Sequence, residues 1–366
     1  MKVSCEKTKL LEGLQAVHNV ASQRGTLPIL SHILVEAVKN ELKFSATDLE
    51  VGIRCSVKAK VSKEGAITVP GRTINDIVKE APEEEIEISS DDGTKMTIVC
   101  GKSIFKIMGL PKEEFPKLPE SGGEKSFSMP QRMIKELIKK TAFAVSREET
   151  QYALGGVLLH IKKKEITAVA TDGRRLAKVK KKRPEAGTVE EEIILPAKAV
   201  NEINRIIGDS EDKVKISVGK NEIILELKNI MFMGRFLKGK FPEYENVIPK
   251  TYTKRIPLER EVFYSALRRV SLLTSEKSNS VRLNLQTGKM LLTASTVELG
   301  EASEEMDVLY DGEDETLIFN PAYLIDFLRN EACEEIYLDI IGPVNPVMLK
   351  PKDDEDYVYV VMPIKI

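Results

Sequence analysis

Tryptophan is absent from the 366-residue chain, and histidine occurs only as His18, His32 and His160. The four cysteines, Cys5, Cys55, Cys100 and Cys333, form no CxxC pair. With neither a histidine cluster nor closely spaced thiols, no zinc site or disulfide framework is expected, and the cysteines read as reduced, buried thiols. No apolar stretch approaches the length of a membrane-spanning helix, and the opening MKVSCEKTKL lacks the apolar centre of a signal peptide. A cytoplasmic protein with no membrane partner is the expectation. Walker loop, GxGxxG, GxSxG and HExxH are all missing, so the commoner nucleotide-binding, esterase and zinc-protease chemistries have no motif to rest on. An excess of positive charge is lacking too. The formal net charge of -2, taken alone, argues against a nucleic-acid binder.

What is present is length, apolar material and repetition. Apolar residues at 42% can fill several cores, and the chain is too long for one ordinary core. The segments FSATDLEVGIR (44–54), AVATDGRRLAK (168–178) and LLTASTVELGE (291–301) each read as a strand ending in a small-residue turn. Thr47, Thr171 and Ser295 are spaced by 124 and again 124 residues. A second block follows each: ITVPGRTINDIV (67–78), IILPAKAVNEIN (193–204) and LIFNPAYLIDFL (317–328). These read as a buried strand, a proline near the first helical turn (Pro70, Pro196, Pro321), then an amphipathic helix.

A further helix is expected to open each unit, over about 8–22, 131–146 and 258–271. On the second, a helical wheel gathers Ile134, Leu137, Ile138, Thr141 and Val145 on one face and Arg132, Lys135 and Lys139 on the other. Alternating strands joined by Gly-Lys-Asn (219–221) or around Asp-Asp-Gly (91–93) read as hairpins. The fold class is therefore α+β, three tandem copies of a two-helix plus antiparallel-sheet unit. Polar joints at PESGGEKS (119–126) and PKTYTKRI (249–256) place the domains at 1–121, 127–250 and 254–366.

The motif order TLPIL (26–30), ATDL (46–49), VPGR (69–72), FPKL (115–118), ATDGRRLA (170–177), GKFPEYENVIP (239–249) and YVVMPIKI (359–366) resembles the beta subunit of bacterial DNA polymerase III, the sliding clamp family, over essentially the whole chain. The resemblance implies a non-catalytic processivity factor without cofactor or metal. Its implied partners are double-stranded DNA bound without regard to sequence, a second copy joined head to tail, DNA polymerase subunits, a clamp loader, and repair and other proteins carrying a clamp-binding motif. Two copies would line a hole with twelve helices. At about 8–10 Å between neighbouring helices, the axis-to-axis diameter is about 38 Å.

The resemblance also implies sites. DNA contacts fall on Arg24, Arg72, Tyr152, Lys198 and Arg205, where Tyr152 is followed by Ala153 rather than by the second tyrosine that relatives often carry. The docking pocket falls on Leu154, Thr171, Gly173, Arg174, Arg175, Leu176, Pro242, Asn246, Val247, Asn320, Tyr323, Val344, Pro346, Val360, Val361, Met362, Pro363, Ile364, Lys365 and Ile366. The seam between copies joins Phe105 and Ile107 of one to Leu272 and Leu273 of the other. Lys95, Lys102 and Lys106 would face Glu298, Glu301, Glu304 and Glu305 around it. Positive charge is needed only on the lining, and helix-borne residues such as Arg132, Lys135, Lys139, Lys140 and Arg268 supply it. Acidic runs at 83–85 and 353–356 are expected to face outward.

Two other readings compete. A metal-dependent hydrolase could use the acidic turns at Asp48 and Asp172, although the third copy has Ser295-Thr296 and lacks the acid. An aspartate in such a turn more commonly bonds local backbone amides. A monomeric DNA-binding scaffold that never closes is the third possibility, separable by solution mass.

Overall fold

The computed structural model describes residues 1–21, 27–82, 84–91, 93–119, 125–148, 152–184, 187, 189–274 and 279–365. Among these, six α-helices occur: α1 (Lys7–His18), α2 (Gly71–Glu80), α3 (Gln131–Lys139), α4 (Ala197–Ile206), α5 (Arg260–Val270) and α6 (Pro321–Asn330). Helices α2, α4 and α6 each follow a strand with a buried centre, Gly65–Pro70, Glu191–Pro196 and Glu315–Phe319. Pro70 and Pro196 close their strands, whereas Pro321 is the first residue of α6. There the Asn320 side chain accepts from the Ala322 amide at 3.0 Å, satisfying one of the amides that a helix start leaves unpaired.

Helix α3 is shorter than the wheel suggests. Thr141 Oγ1 donates to the Leu137 carbonyl at 2.7 Å, and the Thr141 amide turns to Ile138 at 3.1 Å, an i to i-3 bond. The helix therefore tightens into a 3-10 turn at Ala142–Ala144 instead of continuing to residue 146. Its face Ile134, Leu137 and Ile138 is buried as the periodicity predicts.

Contacts gather the chain into two compact units, one of Met1–Gln131 with Arg205–Phe236 and one of Arg132–Asn204 with Leu237–Ile366. In the first, an eight-stranded antiparallel sheet runs Ser126–Pro130, Lys213–Val218, Glu222–Glu226, Ile230–Arg235, Val51–Lys58, Glu41–Thr47, His32–Val38 and Gly65–Pro70. Strand Ile230–Arg235 lies on Val51–Lys58, with Phe232 opposite Ile53 and Met233 opposite Gly52. Helix α1 buries Leu10, Leu14 and Val17 against α2 and the central strands. Each such aliphatic side chain contributes about 1.5–3 kcal/mol.

The first unit also holds a five-stranded sheet ordered Lys60–Lys63, Lys2–Glu6, Glu85–Ser89, Lys95–Cys100 and Ser103–Met108. Its last strand is an edge. Phe105 pairs with Ile98 and Ile107 with Met96, so those two face the sheet's own core, Ile107 at 7% exposure. Alternation then turns Ile104 and Met108 outward, 63% and 67% exposed. Within one chain Ile107 is thus largely covered by its own sheet, while Phe105 on the same face stays half-buried.

In the second unit an eight-stranded sheet runs Glu191–Pro196, Gly156–Ile161, Glu165–Thr171, Arg175–Lys182, Tyr357–Val361, Val347–Pro351, Glu335–Ile340 and Lys254–Glu259. A four-stranded sheet runs Gly300–Asp307, Lys289–Thr296, Val281–Gln286 and Glu315–Phe319, leaving Gly300–Asp307 at an edge. Helix α5 passes into a 3-10 turn, Ser271–Leu273, that holds Leu272 out at 75% exposure and Leu273 half-buried.

Candidate functional site

The repeated Thr-Asp turns are built alike. Thr47 Oγ1 donates to the Val51 carbonyl at 2.9 Å while Asp48 Oδ1 accepts from the Glu50 and Val51 amides at 3.0 and 2.7 Å. In the second copy Thr171 Oγ1 donates to the Arg175 carbonyl at 2.6 Å, and Asp172 Oδ1 accepts from the Arg174 and Arg175 amides, both at 3.0 Å. These carboxylates are used to close the turns, which removes them from the hydrolase reading. Gly173 takes the left-handed backbone the turn requires, at φ +83°, where the first copy accepts Leu49 at +77°.

Arg175 is held from several sides. It bonds Asp172 at 3.0 Å, Asp326 at 2.7 Å and the Phe143 carbonyl at 2.7 Å, and lies 4.5 Å over the Tyr323 ring. Burial works against the guanidinium charge, but Tyr359, Asp326 and Asp172 outweigh it and raise the pKa. The residue therefore fixes the turn as a permanent cation.

Beside this turn lies a cleft of about 160 Å³, lined by Leu154, Thr171, Gly173, Arg174, Arg175, Leu176, Pro242, Glu243, Tyr244, Val247, Val360 and Met362. Its base is an apolar cluster of Leu158, Val169, Leu176, Ile194, Phe241, Met348 and Val360. Burial lifts the Tyr244 hydroxyl above its usual range, aided by Glu245 and Glu192, so the ring stays neutral. Val247 and Met362 stay 51% and 38% exposed at the rim. Exposed Arg174 adds a cation 4.0 Å from Glu148.

Other residues expected in the pocket do not line this cleft. Val361 faces away with Tyr357 and Tyr359, because successive strand residues point to opposite sides. Pro363 is buried, while the Met362 amide donates to the Arg174 carbonyl at 2.9 Å and the Ile364 amide to Ile318 at 2.7 Å. Asn320 caps α6, Tyr323 lies under Arg175, and Asn246 donates to Glu243 at 3.2 Å. Val344, Pro346, Ile364 and Lys365 lie outside the lining, with Val344 and Ile364 exposed, and Ile366 falls outside the described residues. The sequence reading omits Glu243 and Tyr244, although both sit inside GKFPEYENVIP.

Of the residues expected to contact DNA, Arg24 lies outside the described residues, and for Tyr152 only the backbone, a 3-10 turn, is described. Arg72 on α2 and Lys198 on α4 are exposed, Arg72 3.7 Å from Asp76. Arg205 donates to the Gln15 and Ala16 carbonyls at 3.0 and 2.5 Å, in the last turn of α1. Those carbonyls have no partner within their own helix, and the guanidinium supplies one. Lys140 is not a surface charge: it is buried among Glu136, Glu331 and Asp354 at 3.0–3.2 Å. Asp354 therefore departs from the outward-facing acidic run.

The family models for the DNA polymerase III beta subunit match in three consecutive stretches, the N-terminal domain at 1–119, the central domain at 128–243 and the C-terminal domain at 245–365. The chain belongs to the beta sliding clamp family. The beta sliding clamp of Chlamydia muridarum is 35% identical over all of this chain and 99% of its own length, and that of Proteus mirabilis 34% over the whole of both. Among solved structures, the sliding clamp of Pseudomonas aeruginosa bound to griselimycin has a TM-score of 0.94 at 32% identity, covering both chains fully. The clamp of Bacillus subtilis reaches 0.96 at 28% identity, over all of this chain and 99% of the other. As a clamp, the chain is a non-catalytic processivity factor of DNA polymerase III that encircles duplex DNA and tethers polymerase to it. Burial pushes the Cys55 thiol up to about 12 and those of Cys5 and Cys333 up to about 11, so these three stay protonated at neutral pH.

Proposed function

We propose that the chain acts in the cytoplasm as three modules, 1–121, 127–250 and 254–366, and that two copies close head to tail into a ring. The seam reading rests on two open sheet edges of unlike charge. Strand Ser103–Met108 brings Phe105 and Ile107, with exposed Ile104 and Met108 on its other face, beside Lys102 and Lys106; strand Gly300–Asp307 carries Glu301 and packs on the Ser271–Leu273 turn that holds Leu272 and Leu273. Unpaired strand edges of opposite sign favour a heterologous contact that closes by rotation. Glu304 and Glu305 enter it less directly than their sequence positions imply, since Arg269 holds the first and Lys289 the second at 3.0 Å.

In this reading Arg24, Arg72, Tyr152, Lys198 and Arg205 meet DNA through phosphates alone, which suits a sliding contact. The Arg72–Asp76 pair, exposed on both sides, is weak enough to yield to a phosphate. The cleft beside the Thr171 turn takes short apolar segments of polymerase subunits, the clamp loader and repair proteins, by burying two or three side chains. The observation that carries the docking reading is the apolar lining, Leu154, Leu176, Val247, Val360 and Met362, ringed by Arg174 and Glu243. Replacing Met362 by Asp puts a charge into that lining. At least a tenfold loss of griselimycin affinity by calorimetry is expected, with the dimer intact; unchanged affinity would remove the cleft from the function.

A further inference from the structure

The internal repeat places a counterpart of the cleft in the first unit. Turn Thr47–Val51 matches turn Thr171–Arg175 bond for bond. Continuing the same offset of 124 residues puts Gly52 where the cleft has Leu176. Gly52 pairs across the sheet with Met233, as Leu176 pairs with Val360. The segment Phe115-Pro116-Lys117-Leu118 stands in the place of Phe241-Pro242-Glu243-Tyr244.

Two paired differences, Gly52 for Leu176 and Leu118 for Tyr244, separate a closed groove from an open one. In the first unit Leu118 is 8% exposed and forms a cluster with Met233 and Ile224. A Cβ on Gly52 would stand 2.5 Å from Leu118 Cδ2 and 3.3 Å from Met233 Cε. Gly52 lies within a regular strand and is absent from the positive-φ glycines, so its missing side chain serves space and not backbone conformation. Leu118 occupies the volume that this vacancy creates. In the second unit Leu176 fills the sheet position and Tyr244 stays half-buried at the side, leaving an opening.

We infer that the first unit carries a second apolar docking groove of the same design, closed in cis by Leu118, so that of these two grooves only the one beside the Thr171 turn is open. Leu118 is an internal ligand: its isobutyl group takes the part that an apolar side chain of a partner peptide takes in the open cleft. The inference rests on the reading that the open cleft binds apolar peptides. It assigns a role to the FPKL motif that neither DNA encirclement nor dimer closure requires, that of setting the number of docking sites.

Methionine-methyl NMR of the full chain reads both places separately, through Met233 in the closed groove and Met362 in the open cleft. The probes are acetyl-Phe-Pro-Lys-Leu-amide at millimolar concentration and griselimycin. In the unaltered chain griselimycin should shift Met362 and neither probe should shift Met233. In Leu118→Ala the tetrapeptide should shift Met233 saturably. Gly52→Ala provides a second route, because its methyl group collides with Leu118 and should expel it, giving the same response with Leu118 still present. A Met233 resonance that no probe moves in either folded variant, while Met362 responds to griselimycin, overturns the closed groove and leaves the open cleft standing. A silent Met362 instead removes the docking reading itself, and this inference with it.

Discussion

Lys140 lies at the centre of a charge cluster that nothing in its helix pattern announces. Its ammonium lies 3.1 Å from Glu136, 3.2 Å from Glu331 and 3.0 Å from Asp354, and 4.7 Å over the ring of buried Tyr357, whose hydroxyl donates to the Lys140 carbonyl at 3.0 Å. Burial would lift the Glu136 and Asp354 carboxyls, but Lys140 and Lys181 overcome it and hold both low. Burial likewise opposes the Lys140 charge, and the three carboxylates outweigh it and hold that pKa high. Depressed carboxyls give stability above the ordinary carboxylate range that is lost as pH falls through their folded values. The raised lysine gives stability below its ordinary value of about 10.4 that is lost as pH rises through the folded one. The cluster should therefore be fully effective between about pH 5 and 10. Lys140→Ala strands three carboxylates and should cost about 3–5 kcal/mol in urea unfolding, while Lys140→Met, which keeps the volume, should cost less than Ala. A loss below about 1 kcal/mol for the alanine variant would show that the cluster is solvated.

At the scale of elements, the two sheet edges carry the argument for assembly. Leu272 is 75% exposed and Ile104 63% exposed, so neither contributes much to the fold of a single chain. Leu272→Ala and Ile104→Ala should leave the melting temperature of dilute protein within a degree or two, yet weaken self-association at least tenfold, about 1.4 kcal/mol. Sedimentation over a concentration series reads this directly; unchanged association in both variants would move the seam elsewhere. The sequence makes the strand Ser103–Met108 plain, but a period-two pattern has two apolar faces here, Phe105 with Ile107 and Ile104 with Met108. Which face is inside depends on its partner strand, and pairing to Met96 and Ile98 decides it. The same limit applies to Val361, whose neighbours Val360 and Met362 face the cleft while it does not.

For the whole molecule, retention on DNA should be a matter of linkage. Salt shortens the Debye length to about 3 Å at 1 M and removes diffuse phosphate attraction. Loaded protein should nevertheless stay on closed circular duplex at that salt and leave linear duplex by its ends. Equal loss from both would mean that contact, and not closure, holds it. The net charge of -2 does not conflict with this, since exposed Arg72 and Lys198 sit on helices, while Asp353 and Glu355 are exposed in a strand-to-strand turn.

The repeat, the α+β class, the strand–proline–helix blocks and the turn residues of the cleft are all local patterns, and local patterns survive in one dimension. The Thr-Asp turns show why: the threonine and aspartate bonds that close them lie within five residues. Decisions between distant segments needed the third dimension. Sequence period marks three thirds, but pairing of Ile230–Arg235 on Val51–Lys58 and of Tyr357–Val361 on Arg175–Lys182 carries each eight-stranded sheet across a third's boundary and yields two compact units. Whether Lys140 is surface or core, and whether a groove is open or filled by Leu118, depends on contacts between residues far apart in the chain, which no spacing along the sequence encodes.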